Sequence, residues 1–124
     1  MIEVISPIQK LELKYFGEKK GYGVFTLNDI KKDEKIEICY CIDMEACPPR
    51  MWRKWKYFNR EFKKPVLALG YGSVYNHSYT PNVHYYFESD CILVMYALRD
   101  IKEGEELCHN YGENYFKVFP TNII

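Results

Sequence analysis

Asn76-His77-Ser78-Tyr79-Thr80-Pro81-Asn82 is the most informative run of this chain, together with Tyr111-Gly112 downstream and Gly21-Tyr22-Gly23-Val24-Phe25 upstream. Each piece alone says little: Asn-His-Ser is a plausible turn, Gly-x-Gly is common, and Tyr-Gly is a frequent pair. Gly21-Tyr22-Gly23 also fails as a dinucleotide fingerprint. Thr26 stands where a third glycine would be needed, and a β run follows instead of a helix. What the two glycines do offer is backbone freedom and room for a ligand to approach main-chain amides closely. Asn76 brings a carbonyl acceptor and amide donors, suited to an ammonium group or an adenine edge.

Around these pieces the chain reads as β structure. Short runs recur between turn residues: Lys10 to Phe16, Tyr22 to Leu27, Lys35 to Ile42, Val66 to Leu69, Asn82 to Phe87, Cys91 to Leu98 and Glu106 to His109. That pattern predicts a mostly β domain of many short strands. Glu88-Ser89-Asp90 reads as a hairpin turn. The segment 48–64 lacks alternation, and Met51 to Phe58, with Trp52, Trp55 and Phe58 on one face, is expected to form the single helical insert.

An internal echo adds to this. Leu27 to Ile36 repeats in Leu98 to Leu107 as Leu-x-Asp-Ile-Lys-x-x-Glu-x-aliphatic. Two copies are too few for a solenoid. They point instead to two similar hairpin units packed about a pseudo-twofold axis, their apolar positions anchoring turns whose charged tips stay in water.

A chain of 124 residues is one domain by the usual size prior. Seventeen basic residues balance seventeen acidic ones, so no global field draws it to nucleic acid or an anionic membrane. It has no long apolar run and no signal peptide in Met1-Ile2-Glu3-Val4-Ile5, so an intracellular protein is expected. Five cysteines, an odd number, fit a reducing compartment. Cys39 and Cys41 share strand parity and are expected to be small core residues rather than metal ligands. Aromatic residues make up 17% of the chain, twelve of them tyrosine. Tyrosines of an amphipathic core and a ring-lined channel for an alkylated ammonium both fit that composition.

Taken in order, the glycine segment, the Asn76-His77-Ser78 loop and Tyr111-Gly112 resemble the core of SET-domain lysine methyltransferases, with the nearest likeness to minimal stand-alone viral-type members. The resemblance runs from about Gly21 to Phe116. It implies a β-clip fold of small curved sheets with a C-terminal pseudoknot, a single domain over 1–124 whose motif-bearing core spans about 11–116. It also implies S-adenosylmethionine as cofactor, bound by Gly21, Tyr22, Gly23, Asn76, His77, Tyr111 and Phe116. Tyr111 is the catalytic candidate, and Tyr57, Tyr75, Tyr85 and Tyr115 are candidate walls of the substrate-lysine channel. Tyr85 falls where some members place a hydroxyl that limits how many methyls are added. His77 is expected to pack and orient rather than act as acid, base or ligand.

Many members carry a zinc-binding cysteine tail after the Tyr-Gly motif. No cysteine follows Cys108, so no metal is expected. The implied partner is a protein or peptide bearing a target lysine, with histone-like basic tails as natural candidates and Glu61, Glu88, Asp90, Glu103, Glu105, Glu106 and Glu113 as candidate groove charges. A homodimer would steady such a groove. The alternative reading is a methyl-lysine-binding or scaffold protein of the same fold without turnover, against which the intact Asn76, His77 and Tyr111 argue.

Overall fold

Gly17 and Gly21 close the first hairpin. Both take positive φ, 98° and 73°, a backbone conformation that costs glycine little. The Gly21 N–H donates to the Gly17 carbonyl at 2.7 Å, and the Phe16 N–H to the Gly21 carbonyl at 2.8 Å. β1 (Leu11–Tyr15) and β2 (Tyr22–Thr26) leave this turn as an antiparallel pair in the register Tyr15 with Tyr22. The computed structural model describes residues 8–18, 21–46, 57–59 and 64–112.

The larger sheet is built on β3 (Lys35–Asp43), with the order β4 (Tyr57–Asn59), β5 (Lys64–Ala68), β3, β8 (Ile92–Ala97), β7 (Val83–Phe87). The smaller sheet runs β1, β2, β9 (Glu106–His109), β6 (Asn76–His77). All seven strands expected from the sequence are present, with ends displaced by at most two residues. Two short strands, β4 and β6, are additional. Tyr57 and Phe58 lie in β4, so the expected helix does not reach its end at Phe58, and residues 51–56 fall outside the described part. Among the described residues there is no helix. A three-residue strand such as β4 has too few residues to show its period, and a two-residue strand such as β6 shows none, so only pairing reveals them.

The core lies between the sheets and is made of Val24, Ile30, Ile36, Val83, Leu93, Met95, Ile101 and Leu107, with Cys39 and Cys41 among them. The strand alternation of β3 is broken by a bulge between Lys35 and Glu37, so the adjacent Ile36 and Glu37 are both buried. From Glu37 on, parity resumes, and Cys39 and Cys41 face inward with it.

The sequence echo is a structural duplication. Ile30 and Ile101 exchange backbone hydrogen bonds at 2.8 and 2.7 Å as an isolated antiparallel bridge. Around that bridge the contacts are reciprocal. Asp100 Oδ1 accepts from the Lys32 N–H at 2.9 Å, while Asp29 Oδ1 accepts from the Glu103 N–H at 2.8 Å. Glu34 and Glu105 each accept the amide three residues earlier, from Lys31 and Lys102. Each tip residue donates to the other unit, Asp33 to the Ala97 carbonyl and Gly104 to the Thr26 carbonyl, both at 2.8 Å. The two turns thus clasp one another across a pseudo-twofold axis.

Candidate active site

β6 is what gathers the motif residues. It pairs in parallel with β9, Asn76 beside Cys108 and His77 beside His109, while the other edge of β9 is held by β2. Asn82 locks the far end of the loop onto the same strand. Its side-chain oxygen accepts from the Cys108 N–H at 2.9 Å, and its amide donates to the Glu106 carbonyl at 2.8 Å. The segment that would complete the expected pseudoknot beyond Gly112 lies outside the described residues.

At one end of this arrangement, Asn76 meets the glycine segment. Its amide donates to the Tyr22 carbonyl at 2.9 Å and to Glu106 Oε2 at 2.7 Å. A Cβ on Gly23 would come within 2.7 Å of Glu106 Oε2 and 3.2 Å of the Asn76 amide nitrogen. The room beside Glu106 and Asn76 thus depends on glycine. It is walled by a carboxylate, an amide and a backbone carbonyl, a set that complements an amino-acid ammonium. That chemistry fits the amino-acid end of S-adenosylmethionine.

At the other end stands Tyr111, just past β9. Its N–H donates to His77 Nδ1 at 3.0 Å, and its hydroxyl donates to the Tyr75 carbonyl at 2.6 Å. Its ring lies 4.9 Å from that of His109 and 5.3 Å from that of His77. Tyr85, on β7, approaches the same place through a perpendicular contact with His109, 5.8 Å between centroids. Burial holds His77 below the ordinary histidine range. The hydrogen bond from Tyr111 requires its Nδ1 to be unprotonated. His109 is pushed down to about 4, first by burial and then by the nearby His84 and His77. Both imidazoles are therefore neutral near pH 7, and neither adds positive charge beside Tyr111.

Tyr22, Gly23, Asn76, His77, Tyr85 and Tyr111 thus surround one stretch of β9 and β6, whereas Gly21 lies in the β1–β2 turn, bonded to Gly17 and Phe16. Tyr75 is placed differently from the expected channel wall. Its ring is in the core at 1% exposure, its hydroxyl donates to Glu37 at 2.7 Å, and it is its backbone carbonyl that meets Tyr111. Tyr57 sits on β4, whose side chains are not described, and Tyr115 and Phe116 lie outside the described residues.

Sequence reasoning missed three groups: His109, Glu106 as the partner of Asn76, and the Tyr75 carbonyl. A backbone carbonyl leaves no trace in sequence. Glu106, expected from the sequence as a candidate groove charge, instead accepts from the Asn76 amide through Oε2. His109, two residues before Tyr111 in a strand, shares its parity, and that was a usable signal.

The sequence model of the SET domain matches residues 21–112. The chain belongs to the SET-domain family of protein-lysine methyltransferases. It is 35% identical to the Schizosaccharomyces pombe histone-lysine N-methyltransferase specific for H3 lysine-37, over 78% of this chain and 70% of that protein. Among solved structures, a candidate histone methyltransferase of Plasmodium falciparum superposes with a TM-score of 0.69 at 32% identity, covering 85% of this SET chain and 95% of the other. An autoinhibited Polycomb Repressive Complex 2 bound to S-adenosylmethionine contains the same fold, with a TM-score of 0.69 and 22% identity over 90% of this chain and 16% of that one. Such a likeness bears on the fold alone.

Proposed function

We propose that this SET-domain protein transfers the methyl group of S-adenosylmethionine to the side-chain amine of a lysine in a histone-like basic tail, inside the cell. The observation that carries the reading is Tyr111, whose hydroxyl donates to the backbone carbonyl of Tyr75, the residue directly before Asn76.

When bound, S-adenosylmethionine supplies an electrophilic methyl group on a sulfonium. Asn76, Glu106 and the Tyr22 carbonyl would hold its amino-acid end, with Gly23 leaving the room. The incoming lysine has to be neutral to attack, yet free lysine titrates at about 10.4. The rings of Tyr85, Tyr111 and the buried His109 meet at this site, and both nearby imidazoles are uncharged. Desolvation disfavours the ammonium there, so the amine sheds its proton to solvent before it is engaged.

No side chain needs to act as a strong base. Tyr111 donates its hydroxyl hydrogen to the Tyr75 carbonyl, so towards the reacting groups its oxygen can serve only as an acceptor, through N–H···O or weak C–H···O contacts. His77 keeps the Tyr111 backbone in place. The basic-tail substrate class is supported by what the Schizosaccharomyces pombe relative is named for, a lysine of histone H3.

Labelled S-adenosylmethionine incubated with histones and with host lysate, followed by mass spectrometry of labelled lysines, tests the reading. Tyr111→Phe should slow turnover about 100-fold with cofactor affinity near normal. A Tyr111→Phe variant that turns over like the parent removes Tyr111 from this role. Binding of trimethyl-lysine peptide without any cofactor heat in calorimetry would replace the methyltransferase reading by that of a methyl-lysine-binding protein.

A further inference from the structure

In the site just described the Tyr75 carbonyl decides where the Tyr111 hydroxyl points. What holds Tyr75 is Glu37. Among the described residues Glu37 is the one fully buried carboxylate, at 1% exposure. On β3 it shares the inward parity of Cys39 and Cys41, and it lies against the turn 69–75 that feeds β6. One carboxylate oxygen accepts from the Tyr75 hydroxyl at 2.7 Å, and the other from the Tyr71 N–H at 2.8 Å. Gly70 rides directly over it with φ 69°, and a Cβ there would collide with Oε2.

Two further bonds tie the turn to its base: the Val74 N–H to the Tyr71 carbonyl at 2.9 Å, and the Ser73 hydroxyl to the Ala68 carbonyl at 2.9 Å. Burial pushes the Glu37 pKa up, and hydrogen bonds with the Tyr71 amide, the Tyr75 hydroxyl and the Cys39 side chain pull against that rise. A buried acid is a costly way to fill space. An apolar side chain would fill the volume, but it would fix neither the Tyr71 amide nor the Tyr75 ring.

We propose that Glu37 is a positioning residue of the reaction: by holding the backbone at Tyr71 and the hydroxyl of Tyr75, it fixes the Tyr75 carbonyl and, through it, the direction of the Tyr111 hydroxyl. This rests on the role assigned to Tyr111 above. Glu37 touches no reacting group itself. It acts at one remove, so its effect exists only while Tyr111 has a hydroxyl to aim.

A double-mutant cycle with Tyr111→Phe separates this role from plain support of the fold. Glu37→Gln keeps the volume and one acceptor but turns an amide N–H toward the other donor. It should lower kcat about tenfold, with KM for S-adenosylmethionine and for a histone peptide within about twofold of the parent. In the Tyr111→Phe background the same change should lower kcat by less than about twofold. Tyr75→Phe, which keeps the carbonyl and removes one bond to Glu37, should give a smaller kcat loss with the same dependence on Tyr111, and it carries the cycle if Glu37→Gln does not fold.

An undiminished kcat in Glu37→Gln, or equal losses in both backgrounds, overturns the proposal while leaving Tyr111 catalytic. A fully active Tyr111→Phe single variant instead overturns the Tyr111 role, and the Glu37 proposal falls with it.

Discussion

Asn76 holds two acceptors with one amide group, the Tyr22 carbonyl and Glu106 Oε2. Truncating it to alanine leaves Glu106 without that donor in a half-buried position, a loss on the order of 1–3 kcal/mol. Asn76→Ala should therefore weaken S-adenosylmethionine binding by about tenfold to a hundredfold, since each 1.4 kcal/mol is a factor of ten. Isothermal titration checks this, and unchanged affinity would move the cofactor surface elsewhere. At this scale the sequence was partly legible. The amide chemistry of Asn76 and the structural role of His77 followed from residue type and loop context. The burial of the Tyr75 ring did not, because a tyrosine beside a motif looks the same whether its hydroxyl faces a channel or a buried acid. Glu37 did leave a sign: it has the parity of Cys39 and Cys41, which the sequence already placed on the core face.

The clasped turns set the element scale. Asp33 and Gly104 occupy equivalent tips, and both have positive φ, 71° and 90°. That region costs an L-residue roughly 1–2 kcal/mol, somewhat less for aspartate, and glycine little. Nothing lies within 4 Å of a Cβ on Gly104, so backbone strain alone decides the outcome. Gly104→Ala should lower stability by about 1 kcal/mol, and Asp33→Gly should raise it by up to about that amount. Thermal denaturation should show opposite shifts of several degrees. A Gly104→Ala protein as stable as its parent would contradict the assigned conformation. The repeat itself was visible in sequence, because the same clasp demands the same Asp, Ile, Lys and Glu at the same spacing. The short strands β4 and β6 were not, because their existence depends on partners far along the chain.

Over the whole molecule, acid should loosen the packing between β9 and its neighbours. His109 titrates at about 4 when folded and at about 6.5 when unfolded, so between those values the unfolded chain binds more protons. Its contribution is complete above about pH 6.5 and is lost as pH falls toward 4, on the order of 3 kcal/mol in all. His77 is shifted in the same direction by burial. Glu37 has the opposite sign: its raised pKa favours the folded state at acid pH and disfavours it as pH rises. Comparing the parent with His109→Phe isolates the histidine. Urea denaturation at pH 7.5 and 4.5 should show a much smaller acid loss in the variant, and an equal loss in both would assign the acid sensitivity to other groups.

The β character, seven of the strands, the duplicated turn and the family can be read along the chain, because strand period, turn chemistry and motif order are local properties. The parallel pairing of β6 on β9 appears only once the chain is folded. That pairing, between segments some thirty residues apart in sequence, is what brings Asn76 to Glu106 and Tyr111 to the Tyr75 carbonyl. It also takes the fold to bring the turn 69–75 over Glu37. Those contacts are made by backbone groups and by side chains distant along the chain, and long-range pairing of that kind is written in no single stretch of residues.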